Sequence, residues 1–270
     1  MCVLFWAFAI VVAIHLISAV TLDRVIEYKE VPFRSTKVPA EMDGYTIAFV
    51  SDTHLMPDGR LEEVVSKLSQ IRPGVLILGG DYAAGRDAME RSMEILSTVE
   101  ASDGVYGVCG NHDSQTSVVA AMERHSIHPL SNSGAKVGEH LYIAGVEDLW
   151  VGKPDPDKAA AGAEQGDFVL LAAHNPDTTM LYNMSAADLV LCGHTHGGQI
   201  TFFGRWAPAL SGTRHITAYG QRFMSGWAEA KDSTTVYVSN GTGTFPHVPR
   251  VFARPQVILI TLQSASSENP

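Results

Sequence analysis

Short, nearly all-apolar runs that end in glycine, aspartate or asparagine recur along the chain. Thr46–Val50, Val75–Leu78, residues 105–109, Phe168–Ala172 and Leu189–Cys192 lack the polar alternation of a strand with one wet face. Runs this short read as strands buried on both sides, as in a parallel sheet covered by helices. Between them the period changes. Residues 61–71 place apolar side chains at 61, 64, 65, 68 and 71, the stripe of an amphipathic helix stopped by Pro73. Residues 87–99 repeat the stripe with Met89, Met93 and Leu96, and residues 116–127 form a third helix. Further strands are expected at 141–146, 234–239 and 256–262. Strand and helix alternate, so the fold class is α/β.

Residues 2–22 are different: an apolar stretch interrupted only by His15, Ser18 and Thr21, with no charged side chain. About 20 such residues span a bilayer core. With no basic segment before it and a poor cleavage site at Ile17-Ser18-Ala19, the stretch reads as a retained single-pass anchor rather than a cleaved signal peptide. A buried core helix fits less well, because no polar face is present. Cys2 lacks the preceding residues that a lipoprotein signal requires. Arg24, Lys29, Arg34 and Lys37 follow the span, which by the positive-inside rule leaves the rest of the chain on the cytoplasmic side. The chain divides into an anchor or signal-anchor at 1–22, a linker and lead-in at 23–44, a catalytic domain at 45–263 and a tail at 264–270.

The residues just beyond the buried strands carry the chemistry. These segments are Asp52-Thr53-His54, Gly79-Gly80-Asp81, Gly110-Asn111-His112-Asp113, Ala173-His174-Asn175 and Gly193-His194-Thr195-His196. Open α/β sheets gather ligands at the carboxyl ends of their strands, so segments far apart in sequence meet there. Singly, Asp-x-His or Gly-Asp reads as a loop or turn, and His174 as an ordinary loop histidine. As an ordered set they spell a two-metal hydrolase site. Carboxylate, amide and imidazole donors without thiolate suit Mn, Fe or Zn. Cys109 and Cys192 stand inside apolar runs and read as core thiols.

These motifs resemble those of the calcineurin-like metallophosphoesterases, over residues 45–260. The resemblance implies two mixed β-sheets packed as a sandwich and flanked by helices. It implies that Asp52, His54, Asp81 and His196 hold one divalent ion, that Asp81 bridges, and that Asn111, His174 and His194 complete a second. His112 matches the position that donates or steers a proton and binds no metal. Two such ions polarise a phosphoryl oxygen and lower the pKa of water. The chain departs from the protein-phosphatase branch: Gly80-Asp81-Tyr82-Ala83-Ala84-Gly85-Arg86 lacks the second Asp and the Arg of Gly-Asp-x-x-Asp-Arg-Gly. The carboxylate that would orient His112 is therefore missing, Asp113 is the neighbour left for that role, and phosphoprotein substrates fit less well.

The formal charge of −10 in 270 residues argues against a nucleic-acid binder, and three cysteines give no disulfide framework. Between residues 199 and 231 periodicity fades, and Arg205, Trp206, Arg214, His215, Arg222, Phe223 and Trp227 read either as a substrate-selecting loop or as solvated loop with packing aromatics. Gly241-Thr242-Gly243-Thr244, with Pro246, His247, Pro249 and Arg250, resembles a Gly-rich rim in membrane-anchored bacterial members. The expected function is metal-dependent hydrolysis of a phosphodiester or pyrophosphate. The subgroup resembled includes anchored bacterial phosphodiesterases and enzymes cleaving UDP-2,3-diacylglucosamine, so a lipid-linked nucleotide is one expected substrate. A nucleotide or cell-envelope diester is the alternative, and an inactive metal-binding scaffold is the reading outside enzymes.

Overall fold

The computed structural model describes residues 2–54, 56–83, 85–212, 216–244 and 248–265. One six-stranded sheet has the order β1 (Glu27–Ser35), β12 (Gln256–Ser264), β2 (Thr46–Val50), β3 (Val75–Leu78), β4 (Val105–Gly107) and β5 (His128–Pro129). The other runs β10 (Gly226–Glu229), β11 (Thr235–Val238), β9 (Leu189–Cys192), β8 (Phe168–Ala172), β7 (Leu141–Gly145) and β6 (Ser133–Val137). Both are mixed. β12 pairs antiparallel with β2, β6 with β7 and β10 with β11, and the remaining pairs are parallel.

The apolar runs are two-sided because successive side chains point to opposite faces. On β2, Ile47 and Phe49 enter the core between the sheets, with Ile77, Leu170, Leu191 and Tyr237. Ala48 and Val50 face outward, where α2 (Asp58–Ile71), α3 (Arg86–Leu96) and α4 (Gln115–Arg124) cover them. The second sheet is covered by α5 (Pro156–Ala160) and the loops around α6 (Thr178–Leu181). The sandwich expected from the sequence is the one observed. α2 buries Leu61, Val64, Val65 and Leu68 as its stripe requires. It stops at Arg72, which turns left-handed at φ 56° because the following proline disfavours a helical residue.

The 23–44 segment holds an element that periodicity does not reveal. β1 adds to the sheet edge beside β12, with charges facing out, Val31 and Phe33 buried, and Pro32 tolerated because an edge strand needs donors on one side only. α1 (Cys2–Val20) is long and apolar enough to cross a membrane, and Leu4, Phe5, Trp6, Phe8, Leu16 and Ile17 are exposed on it. Its last turns are fastened to the body: Ser18 Oγ donates to Asp23 Oδ2 at 2.7 Å, and the same oxygen accepts the Phe252 N–H at 2.8 Å.

Candidate metal centre

Register brings the motifs level. Val50 pairs with Leu78 and Leu78 with Gly107, so Asp52, Asp81 and Asn111 leave one sheet side by side. Ala172 pairs with Leu191 and Cys192 with Val238, so His174 and His194 leave the other sheet together. The two edges are then stitched. The His194 N–H donates to both oxygens of Asp52, at 3.0 and 3.2 Å, and Thr242 N–H donates to Ser51 O at 2.9 Å. All eight residues named from the motifs converge at this end of the sandwich.

The backbone there is unusual. Asp52, His54, Asp81, His194 and His196 all have φ between 41° and 71°, a region uncommon for residues with a β-carbon and clustered at functional sites. Each left-handed residue turns its side chain out of the strand line and into the shared crevice. The neighbouring glycines permit the approach: a β-carbon on Gly110 would collide with the Asp81 carboxylate, and one on Gly193 with that of Asp52.

Two donor clusters result. Donor atoms of Asp52, His54 and His196 lie within 4.8 Å of one another, as do those of Asp52, Asp81 and His174. His54 Nε2 stands 3.0 Å from His196 Nε2 and 3.7 Å from Asp81 Oδ2, and His196 Nε2 is 3.6 Å from Asp52 Oδ1. On the other side His174 Nε2 faces Asn111 Oδ1 at 3.2 Å and Asp81 Oδ2 at 3.4 Å. Outer contacts set the tautomers. His174 Nδ1–H donates to Gly79 O at 2.7 Å, leaving Nε2 for the crevice, and His194 Nε2–H donates to Ile216 O at 2.8 Å, leaving Nδ1 as its lone-pair nitrogen. A carboxylate–imidazole–amide set with oriented lone pairs is the chemistry a divalent cation needs, so the residues fit metal.

Electrostatics agree. Burial lowers the basicity of His54 despite Asp52 and Asp81, burial and then Arg250 lower that of His196, and burial with His174 brings His194 down to about 4. All three imidazoles are therefore neutral at pH 7. Burial opposes charge on His174, but the Asp81 carboxylate outweighs it and holds the imidazole well above its ordinary value. Burial likewise opposes ionisation of Asp81, and His174 and His54 overcome it. Asp81 thus favours a protonated imidazole at His174, facing Asp81 and Asn111.

His112 N–H donates to Asp81 Oδ1 at 2.8 Å, and the residue lines a cavity of about 420 Å³ above the crevice. Asp113 does not turn toward that ring: Oδ2 accepts the Asp81 and Gly110 N–H groups, both at 2.8 Å, and Oδ1 accepts that of Tyr82 at 3.1 Å. It holds the Asp81 turn, a task three buried backbone donors impose on the nearest carboxylate. Cys109 and Cys192 are core thiols, their ionisation suppressed by burial. Arg214, His215, Pro246 and His247 lie outside the described residues.

Two residues were undervalued by sequence. Arg250, 2% exposed, donates to the carbonyls of His196, Asn240, Gly243 and Ala253 and approaches His196 Nδ1 at 3.3 Å, binding the Gly-rich rim to the His196 loop. Trp150 packs edge-on against His194, ring centroids 4.6 Å apart, and walls the cavity with Ala209, Ile216 and Val248. Its position beyond a buried strand is the same signal that marks the motifs.

Residues 45–198 match the calcineurin-like phosphoesterase family model. The chain belongs to that family. It is a metal-dependent phosphoesterase, with candidate His and Asp metal-binding groups in the crevice described. It is 26% identical to the uncharacterized metallophosphoesterase YkuE of Bacillus subtilis, covering 89% of this chain and 87% of the relative. Identity is also 26% to phosphodiesterase YaeI of Escherichia coli, over 81% of this chain and 82% of that one. A transmembrane protein with metallophosphoesterase domain from Danio rerio is 28% identical over 95% of this chain, which spans only 61% of the relative's length. A dimetal phosphatase crystal structure from Danio rerio aligns with a TM-score of 0.44 at 12% identity, over 81% of this chain and 99% of that one.

Proposed function

We propose that the chain is a membrane-anchored phosphodiesterase or pyrophosphatase that uses two divalent metal ions, Mn, Fe or Zn. The observation carrying this reading is the convergence of Asp52, His54, Asp81, Asn111, His174, His194 and His196 on one crevice beneath a cavity that His112 lines. In the proposed allotment Asp52, His54, Asp81 and His196 hold one ion, and Asp81, Asn111, His174 and His194 the other. When bound, such ions polarise the phosphoryl group and lower the pKa of water. The protein's own contribution is placement. Asp52 is fixed by the His194 N–H and Asp81 by the His112 N–H, and His112 stands beside the reacting phosphate without being a ligand, able to hand a proton to the leaving oxygen.

The phosphodiester assignment draws on similarity to the phosphodiesterase YaeI and on the missing protein-phosphatase carboxylate. α1, fastened through Ser18, Asp23 and Phe252, supports a retained anchor at residues 2–22, and the basic residues after it support a cytoplasmic catalytic domain. An anchored site with an apolar cavity wall suits a lipid-linked nucleotide such as UDP-2,3-diacylglucosamine. A second reading, a soluble nucleotide or envelope diester, is favoured by Trp150, whose half-exposed indole at the cavity is placed to stack on a base. Turnover of bis-p-nitrophenyl phosphate with added Mn tests the chemistry. Robust turnover that Asp81→Asn abolishes is expected, and none from well-folded, metal-loaded protein would leave only a binding scaffold.

A further inference from the structure

One face of the last turns of α1 rests on the body, while Leu16, Ile17 and Val20 stay exposed. His15 lies among three phenylalanines of the catalytic body, with ring centroids 5.4 Å from Phe202, 4.7 Å from Phe203 and 4.9 Å from Phe252. Phe202 and Phe203 belong to a tight turn closed by Phe202 N–H to Trp206 O at 2.7 Å, and Thr201 N–H to Val251 O at 2.9 Å joins its base to the Phe252 segment. Phe202, Phe203 and Trp206 are 53%, 40% and 48% exposed despite these contacts, so the turn presents aromatic surface continuous with α1.

Depth is set by helix geometry. His15 precedes Val20, the end of α1, by five residues, or about 7.5 Å along a helix rising 1.5 Å per residue. A turn touching α1 at His15 therefore reaches past the point where the span leaves the bilayer core. That is the depth of the headgroup–acyl boundary, where an interfacial element buries its apolar face about 5–10 Å. Charge is arranged to match. Arg205 is exposed on the same turn, Arg60 donates to Arg24 O and Arg254 Nε donates to Val25 O at 2.9 Å, which sets a basic collar around the helix exit. Aromatic side chains just inside the helix exit, with arginines at the exit itself, are what an anionic membrane surface recognises.

We propose that the turn at residues 200–206, with Phe252 and the collar of Arg24, Arg60 and Arg254, is a bilayer-docking surface. It seats in the headgroup–acyl boundary of an anionic membrane and holds the mouth of the catalytic cavity at headgroup level. The chain running into this turn is Gly198-Gln199, which lines that cavity. The site then receives phosphoesters from the membrane plane, and the body cannot swing freely on its anchor. This rests on the reading of α1 as a membrane anchor.

The test uses the full chain in vesicles of phosphatidylcholine and phosphatidylglycerol carrying acyl chains brominated at shallow or deep carbons. Trp206 and Trp6 signals are isolated by difference against Trp206→Phe and Trp6→Phe. Both are expected to be quenched, Trp206 most by shallow bromines. Trp206 open to aqueous acrylamide and insensitive to bromolipid, with Trp6 quenched, overturns the docking surface and leaves the anchor standing. An unquenched Trp6 removes the anchor and this inference with it. In the same vesicles the Phe202→Ser/Phe203→Ser variant should keep its rate on bis-p-nitrophenyl phosphate and lose about tenfold on hexadecyl p-nitrophenyl phosphate, a loss of local positioning. Equal rates on both esters would contradict the proposal, whereas failure of wild type on the soluble diester would instead count against the proposed chemistry.

Discussion

The Nε2 atoms of His54 and His196, 142 residues apart in the chain, stand 3.0 Å from each other. Both imidazoles are buried and held neutral near pH 7, so either one proton or one cation belongs between them. His54→Ala should therefore lower bound metal by about one ion per chain while sparing the His174 corner. Elemental analysis of the purified variant checks this, and unchanged stoichiometry would remove His54 from the ligand set.

His112→Ala should keep its metal and lose roughly 10²–10⁴-fold in rate on a diester with a poor leaving group, the usual span for general acid catalysis. With p-nitrophenolate, which leaves unassisted, the loss should shrink. A loss of equal size for both esters would mean that His112 binds phosphate or holds the crevice together.

In the proposed centre His174 would couple metal binding to pH. Its folded-state basicity is raised by Asp81, so the metal-free protein carries that proton at neutral pH and metal must displace it. Below the raised pKa, affinity at this corner should climb about tenfold per pH unit, with release of about one proton per ion. Calorimetric titration in buffers of different ionisation enthalpy measures that proton. Affinity independent of pH between 6 and 8 would place His174 neutral beforehand.

Asp113 gives an independent stability signature. Burial, then the Asp81 charge, lifts its carboxyl to about 6 against an ordinary 3.8. The folded state thus holds this proton more tightly than the unfolded one. Its contribution is full below about 4 and is lost as pH rises through about 6. Metal-stripped wild type should lose stability across that window relative to Asp113→Asn, read by denaturant melts. Parallel profiles would show that the backbone donors already compensate the ionised form.

Arg250 is charged at neutral pH even though burial brings it down to about 10, and it acts on His196 through the carbonyls it ties together. Arg250→Met should weaken metal binding about 10–100-fold, the range for an outer partner of a ligand, with the rate largely restored at saturating metal. Loss of rate that excess metal does not restore would point to a direct part in substrate binding.

The convergence of these candidate donors is legible in sequence because they sit where strands end, and strand ends follow from two-sided apolar runs such as Val75–Leu78. The orientation of each donor was not legible. It depends on left-handed φ at Asp52, His54 and Asp81 and on tautomers fixed by Gly79 O and Ile216 O, which are long-range contacts. β1 carries no periodic signal because this edge strand buries only Val31 and Phe33 among charges. Asp113 and Arg250 are bland in sequence for the same reason: their partners are backbone groups, which carry no pattern. The aromatic turn at residues 202–206 gains meaning only from its neighbour α1, far away in the chain.

In the proposed centre Asp81 serves two metal ions at once. Elemental analysis of wild type and Asp81→Asn, alongside turnover of bis-p-nitrophenyl phosphate, tests it most directly. Wild type should carry about two ions per chain, and the variant should lose occupancy at both positions together with activity, since only a shared carboxylate touches both. Full occupancy and a normal rate in Asp81→Asn would contradict the account.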